Sequence, residues 1–125
     1  EALIMLGVAP RDGIQVERVA RNRCDARPDV EGATGPSQVE AGGPAELSTT
    51  LPWEALCAVG AAPSDDAGSY LCNAVFYRAL RQHAQVPQRG FVHVPHGDPA
   101  PVTAFVRRAI AVLRDQAGID QSMGG

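Results

Sequence analysis

Two residues far apart in the chain, Cys72 and His93, have side chains that together can carry out nucleophilic catalysis. A cysteine thiolate is a nucleophile, an imidazole can take up its proton and return it near neutral pH, and a carboxylate can orient the imidazole. Residue type alone does not favour this interpretation, because free cysteines are usually small buried hydrophobic residues and separation in sequence says little about contact. From spacing alone, structural roles are favoured for Cys72 and His93.

Cys72 lies in the first turn of a predicted helix. Asp65, Asp66 and Gly68 form a turn before it, and Ser69 is a suitable N-cap. The backbone amides and the positive dipole end of a first helical turn favour the thiolate form of a cysteine. Apolar residues then recur on one side of the helix as far as about His83: Leu71, Val75, Phe76, Ala79 and Leu80.

The other apolar segments alternate between strand and helix patterns. Residues 2–8 predict a strand buried on both faces, and residues 91–94 predict a second buried strand. A short helix is predicted at residues 51–59, and the best helical pattern covers residues 99–117, with Gly118 as its stop. Its predicted buried stripe consists of Val102, Phe105, Val106, Ala109, Ile110 and Leu113. The alternation predicts an α/β layer fold with a mainly parallel sheet in a single domain over residues 1–125. Because a domain rarely opens on a central strand, we expect a further portion upstream.

Two segments have weaker patterns. Residues 14–20 alternate only in part, and their simplest interpretation is a strand at the surface edge with a solvated pair of Glu17 and Arg18. Residues 22–50 are polar and rich in Gly and Pro, which predicts a long loop.

Composition narrows the class of protein. The chain has 125 residues, a net charge of −3, a pI near 5.5 and 45% apolar residues, which indicates one soluble globular domain and argues against a nucleic-acid partner. No window approaches the length of a membrane span. The 3 cysteines lack paired spacing, so we expect free thiols and a cytoplasmic location. His93 and His96 flank Pro95 at a predicted strand end, which argues against a metal site.

Several segments match the motifs of a known family in the right order. Residues 66–73 (Asp-Ala-Gly-Ser-Tyr-Leu-Cys-Asn) contain Cys72, and residues 90–95 (Gly-Phe-Val-His-Val-Pro) contain His93. Residues 17–22 (Glu-Arg-Val-Ala-Arg-Asn) are followed by Asp-Ala-Arg at residues 25–27. These segments resemble the nucleophile, histidine and glutamate motifs of the pyroglutamyl peptidase I family, the pyrrolidone-carboxylate peptidases. The resemblance reverses the preference for structural roles at Cys72, His93 and Glu17.

This resemblance implies a fold and an activity. The fold would be a three-layer α/β/α sandwich with a mainly parallel twisted sheet, incomplete relative to the family. The activity would be removal of N-terminal pyroglutamate from peptides, without a cofactor or a metal. The resemblance also implies self-association into a homo-oligomer.

The resemblance further implies roles for individual residues. Cys72 would attack the carbonyl carbon next to the scissile bond, His93 would act as base and then as acid, and Glu17 would orient His93. The backbone amide of Cys72 and the side chain of Arg27 would stabilise the oxyanion. The residues expected to pack against the lactam ring are Tyr70 and Leu71.

Departures from the family leave alternatives open. The chain has no counterpart of the family's Gly-Phe-Asp-Pro-Phe-Gly-like segment, and residues 53–65 are predicted to be too few for both the helix and the strand found there. Arg21 stands where the family usually has an apolar residue. One alternative is a non-catalytic remnant that binds peptide or protein. Another is an unrelated α/β binding module whose similarity is incidental.

Overall fold

A computed structural model describes the backbone of residues 1–24, 38–68 and 71–124, with side chains as far as residue 118. The expected site residues Arg27 and Tyr70 lie outside the described residues. In chain order the elements are β1 (Ala2–Val8), β2 (Gln15–Glu17), β3 (Val19–Arg21), β4 (Glu46–Ser48), α1 (Trp53–Ala58), β5 (Ala62–Ser64), α2 (Leu71–Gln82), β6 (Gln88–Val94) and α3 (Ala100–Gly124).

The main sheet has four strands in the order β1-β6-β2-β5. β1 is parallel to β6 and β2 is parallel to β5, whereas β2 and β6 are antiparallel. The prediction of a mainly parallel sheet is therefore confirmed, with one change of direction at its centre. β3 and β4 form a separate antiparallel pair.

Helices cover both faces of this sheet, which confirms the predicted α/β/α layers. On one face, α1 and α3 bury a cluster with the sheet that consists of Val16, Leu51, Leu56, Val92, Val94, Phe105, Ala109 and Leu113. On the other face, α2 and the β3–β4 pair bury Ala20, Ala67, Phe76, Tyr77, Leu80 and Phe91. Successive residues of β6 alternate between the two clusters, as the pleat of a strand requires.

The buried face of α2 differs from the predicted one. Leu71 and Val75 were predicted to be buried, but they are 63% and 46% exposed. The buried side chains are Asn73, Ala74, Phe76, Tyr77, Ala79 and Leu80. Because α2 packs against the β3–β4 pair as well as the sheet, its buried face includes polar side chains that bond to that pair.

The prediction of an edge strand at residues 14–20 is wrong. β2 lies inside the sheet between β6 and β5, and β3 leaves it to join the second sheet. Glu17 is fully buried rather than solvated. Arg18 instead bonds to Asp65 at 2.6 Å and lies 4.8 Å from the centre of the Trp53 ring.

The segment before α2 contains more structure than predicted. Residues 53–65 were expected to be too few for a helix and a strand, but α1 takes 6 residues and β5 takes 3. Both elements are short, and only residues 59–61, with a turn at Val59 and Gly60, separate them. The expectation that this segment is too short for both elements is therefore wrong.

Three predictions at the outer elements also need correction. β1 is at the edge of the described sheet rather than buried on both faces, and Leu6 and Val8 are 50% and 57% exposed. Gly118 does not end α3, which continues to Gly124, because a glycine in an exposed helix weakens the helix without breaking it. In the predicted stripe of α3, Ile110 is 43% exposed.

Among the described helices, none has the length and apolarity needed to cross a membrane.

The Asn73 side chain connects α2 to the backbone of β3 and of the residues that follow it. Its side-chain oxygen accepts from the Arg21 backbone N–H at 2.9 Å, and its amide group donates to the carbonyls of Arg21 and Arg23 at 2.8 and 2.9 Å. The Arg21 side chain, which stands where the family usually has an apolar residue, is partly exposed and donates to the Asp65 carbonyl. The helix that carries Cys72 is thus held by backbone hydrogen bonds of a neighbouring strand.

We expect Asn73→Ala to lower the free energy of unfolding by about 2–4 kcal/mol, because three hydrogen bonds are lost and buried backbone groups remain unpaired. Chemical denaturation measures the change. The control is Arg78→Ala on the exposed side of α2, which should change stability by less than about 0.5 kcal/mol. Equal effects of the two substitutions would contradict the role of Asn73.

Candidate active site

A buried pair of Glu17 and His93 lies on the face of the sheet that α2 covers. His93 is directly opposite Gln15 in the antiparallel pairing of β6 and β2, so Glu17 is its diagonal neighbour on the same face. His93 Nδ1 is 2.9 Å from Glu17 Oε1. The Glu17 side chain is 0% exposed and that of His93 is 4% exposed. Water therefore has little access to this carboxylate–imidazole contact.

Glu17 accepts hydrogen bonds from two further side chains. Ser64 Oγ, on the neighbouring strand β5, donates to Oε2 at 2.7 Å, and Arg11 Nη1 donates to Oε1 at 2.7 Å. Burying a carboxylate is costly unless it is paired with a cation and hydrogen-bonded. With these donors the carboxylate is an acceptor, so His93 Nδ1–H donates to it and Nε2 is left for other partners.

Arg11 reaches Glu17 from the loop that connects β1 to β2. These strands are separated by β6, so the loop passes over the carboxyl end of β6, where the Ala9 N–H donates to the Val94 carbonyl at 3.0 Å. Arg11 also donates to Gln15 Oε1 at 2.7 Å and to the Asp66 carbonyl at 2.7 Å. The guanidinium therefore joins the loop, β2 and the segment before α2.

Cys72, the second residue of α2, lies over the same part of the sheet. An added Cβ atom at Gly7 would be 3.2 Å from Cys72 Sγ, and Gly7 is the partner of His93 in the pairing of β1 with β6. The thiol is thus on the same face as the imidazole and one strand away. In the described part of the chain, no hydrogen bond joins the Cys72 thiol to the His93 ring.

The Phe91 ring packs beside the His93 ring and close to Gly7, the residue that the Cys72 thiol also approaches. Its ring centre is 4.8 Å from that of His93 with a 50° angle between planes, and 6.2 Å from that of Phe76 on α2. An added Cβ atom at Gly7 would be only 2.6 Å from Phe91 Cζ. The absence of a side chain at residue 7 therefore gives the Phe91 ring its place beside His93.

The other expected site residues are only partly accounted for. Leu71 opens α2 with an exposed side chain, whereas Arg27 and Tyr70 are outside the described residues. Within the described ranges, no group of three or more His, Cys, Asp or Glu side chains is arranged to hold a metal ion. His96, the second member of the histidine pair, is exposed, while His93 bonds to Glu17.

All 3 cysteines are free thiols, each of them partly buried. Burial raises the pKa of the Cys57 thiol, which lowers its thiolate fraction at neutral pH. Cys57 lies in α1 on the opposite face of the sheet from His93, so the two helical cysteines differ in surroundings as well as in place.

Two residues of this cluster, Arg11 and Ser64, were not found by sequence reasoning. Both belong to short segments without a motif, and their contact with Glu17 depends on the strand order. A buried glutamate does require donors, but the sequence did not indicate that Glu17 is buried.

The fold agrees with solved structures. The chain superposes on pyrrolidone carboxyl peptidase from Thermococcus litoralis with a TM-score of 0.80 and 30% identity, covering 94% of this chain and 67% of that one. For the pyrrolidone carboxyl peptidase from Thermus thermophilus the TM-score is 0.75 and the identity 32%, covering 87% and 68% of the two chains. The layered α/β fold of this chain is therefore that of the pyrrolidone carboxyl peptidases.

Sequence comparison leads to the same family. The family model described as pyroglutamyl peptidase matches residues 1–104. The pyrrolidone-carboxylate peptidase of Pseudomonas fluorescens (strain SBW25) is 39% identical over 131 residues, which cover 95% of this chain and 60% of that protein. The chain belongs to the pyroglutamyl peptidase family, and it spans about 60% of the length of this relative.

We expect Gly7→Ala to displace the Phe91 ring and to slow alkylation of Cys72, because the new methyl group would overlap with Phe91 and crowd Cys72 Sγ. Such overpacking typically costs about 1–3 kcal/mol of stability. Iodoacetamide labelling followed by peptide mass spectrometry gives the rate. Gly118→Ala is the control, since a Cβ atom there meets nothing within 4 Å. An unchanged Cys72 rate in a folded Gly7→Ala protein would refute the close approach.

Proposed function

We propose that this protein is a cysteine peptidase that removes pyroglutamate from the N-terminus of peptides. The observation that carries the proposal is the buried contact between Glu17 and His93, with Cys72 on the same face of the sheet. Membership of the pyroglutamyl peptidase family and the names of the relatives support the substrate class. Pyroglutamyl peptides would be the partner of this site, without a cofactor or a metal.

In the first step, Cys72 Sγ attacks the carbonyl carbon that joins pyroglutamate to the next residue. The thiol proton passes to His93 Nε2, and Glu17 stabilises the resulting imidazolium at Nδ1. The imidazolium then protonates the leaving amine as the C–N bond breaks. The shortened peptide leaves, and pyroglutamate remains on Cys72 as a thioester.

In the second step, water hydrolyses the thioester. His93 takes a proton from the attacking water, and the C–S bond breaks to release pyroglutamate and to return the thiol. Both steps develop negative charge on the carbonyl oxygen, and preorganised N–H donors stabilise such charge. The amides of a first helical turn have no partner within the helix, so the backbone N–H of Cys72 is the proposed donor, together with Arg27.

Recognition of the lactam ring is proposed for the start of α2. The exposed Leu71 side chain adjoins Cys72 and supports this assignment, because an apolar surface next to the nucleophile suits the ring methylenes. Tyr70 is proposed as its neighbour in this role.

We expect wild-type protein to release 7-amino-4-methylcoumarin from its pyroglutamyl amide, and Cys72→Ala to reduce kcat/KM by more than about 10³-fold, because the nucleophile is lost. Fluorescence measures the rate. Cys57→Ala is the matched control, since Cys57 lies on the other face of the sheet, and it should keep nearly full activity. Activity that survives Cys72→Ala would end the proposal.

Thiol labelling separates catalysis from binding alone. Because Cys72 lies at the start of α2 on the same face as His93, it should react with iodoacetamide faster than Cys24 and Cys57 near neutral pH. Equal rates would count against an assembled site. Fast labelling of Cys72 without turnover, together with binding of a pyroglutamyl peptide, would instead favour the alternative of a binding domain without catalysis.

We also propose that the chain self-associates. β1 is an edge strand of the described sheet and exposes Leu6 and Val8, and an apolar strand edge favours pairing with another chain. Light scattering should show an oligomer that Leu6→Lys weakens. A monomer at micromolar concentration would refute this proposal without affecting the proposed chemistry.

We infer a cytoplasmic location for this activity. The support is that Cys24, Cys57 and Cys72 are all free thiols, and a nucleophilic cysteine needs a reducing compartment to stay reduced. Detection of the native protein only in an extracellular fraction would contradict this inference.

A further inference from the structure

The proposed reaction leaves Arg11 without a role, although its side chain donates hydrogen bonds to Gln15, Glu17 and Ser64 and to the Asp66 carbonyl. Its side chain is 25% exposed and lies at the rim of an otherwise buried site. Nη1 donates to Glu17 Oε1 at 2.7 Å and Nη2 donates to the Asp66 carbonyl at 2.7 Å. One guanidinium therefore contacts both the carboxylate behind His93 and the segment that leads into α2.

Charge balance around Glu17 changes during the proposed reaction. The carboxylate is buried, and a buried charge is costly without a partner of opposite charge. His93 is such a partner only while it is protonated, yet it must be neutral when it accepts the thiol proton. Arg11 is charged at every working pH, so its ion pair with Glu17 persists in both states of the imidazole.

The groups around the pair come from several elements. β5 contributes the hydroxyl of Ser64, which donates a hydrogen bond but no charge, and β6 contributes the ring of Phe91. α2 contributes the thiol of Cys72. The nearby carboxylates have other partners: Asp65 bonds to Arg18, and Asp66 Oδ1 accepts from the Gly68 N–H. In the described part of the chain, Arg11 is the cation that reaches Glu17 irrespective of the state of His93.

We propose that Arg11 is a positioning residue that holds the Glu17 carboxylate toward His93 and balances its charge while the imidazole is neutral. Arg11 acts through Glu17 and makes no contact with the substrate. Its bond to the Asp66 carbonyl also fixes the carboxylate relative to the turn before the Cys72 helix. The contribution of Arg11 to catalysis rests on the proposed function, in which His93 accepts the thiol proton. The charge balance between Arg11 and Glu17 does not, because it is a property of the folded chain.

The test is Arg11→Gln, with the ring resonances of His93 followed against pH by NMR. Loss of a neighbouring positive charge favours the imidazolium, so the midpoint of the His93 titration should move to higher pH by about one unit. His83 and His96 are exposed and serve as internal references whose midpoints should not move. A merely structural role of Arg11 would leave the His93 midpoint unchanged in the folded variant.

Two further variants control for charge. Arg18→Gln removes the same charge from a residue that bonds to Asp65 rather than to Glu17, and it should move the midpoint by less than about 0.2 unit because surface charges are screened. Arg11→Lys keeps a cation next to Glu17 and should stay within about 0.3 unit of the wild type, since a lysine is also charged at these pH values. An unchanged midpoint in Arg11→Gln, or an equal shift in Arg18→Gln, overturns the proposal.

If Arg11→Gln does not fold, the wild-type protein gives the answer. The guanidinium nitrogen resonances of Arg11 should shift as His93 titrates, while those of Arg18 should not respond at that midpoint. No response of Arg11 overturns the proposal.

Neither NMR measurement requires turnover, so the two proposals can fail separately. A raised midpoint in a chain that does not cleave pyroglutamyl amides supports the role of Arg11 and contradicts the proposed function. Cleavage of pyroglutamyl amides by the wild type, without a raised His93 midpoint in Arg11→Gln, supports the proposed function and contradicts the role of Arg11. In an active protein, Arg11→Gln should lower kcat with little change in KM and move the acid limb of the pH profile to higher pH, because His93 must be neutral to accept the thiol proton.

Discussion

Burial of the Glu17 carboxylate is the constraint on which the arrangement of this site depends. A carboxylate without access to water needs donors and a positive charge from the protein itself. Here the donors are His93, Ser64 and Arg11, and they come from β6, from β5 and from the loop between β1 and β2. Loss of any of these elements would leave a buried charge short of partners. The same bonds that orient the His93 ring therefore also connect the central strands of the sheet to each other and to the β1–β2 loop.

The change of strand direction at the centre of the sheet makes this cluster compact. In an α/β fold with parallel strands, functional side chains usually gather beyond the carboxyl ends of the strands. His93 and Gly7 are near such ends in β6 and β1, but β2 runs in the opposite direction. Glu17 therefore approaches His93 diagonally from an antiparallel neighbour, within the sheet rather than beyond its edge. This geometry explains how the carboxylate can be fully buried while the thiol stands on a helix start above it.

Sequence reasoning found the elements with long apolar patterns and the motif residues, and it failed where contacts across the sheet decide the outcome. β1, α1 and the start of α2 are at the predicted positions, because each has a clear pattern or a turn signal. Residues 14–21 form two strands that belong to different sheets. Their partly alternating apolar pattern does not predict this division. Arg11 lies in a loop and Ser64 at the end of a short strand, and the sequence around them has no motif that would indicate a contact with Glu17. Their roles follow only from the strand order, which brings β5 and the β1–β2 loop next to β2.

The buried face of α2 shows why the pattern alone could not give the packing. Apolar spacing favoured a face with Leu71 and Val75, but hydrogen bonds outweigh it. Asn73 bonds to the backbone at β3, and the Tyr77 hydroxyl donates to the Pro44 carbonyl at 2.7 Å. These two polar side chains turn the helix so that Leu71 faces outward next to Cys72. An amphipathic helix that packed by its apolar stripe alone would bury Leu71 and remove that apolar surface from beside the Cys72 thiol. The polar contacts on one side of α2 thus determine which side chain is presented beside the thiol on the other.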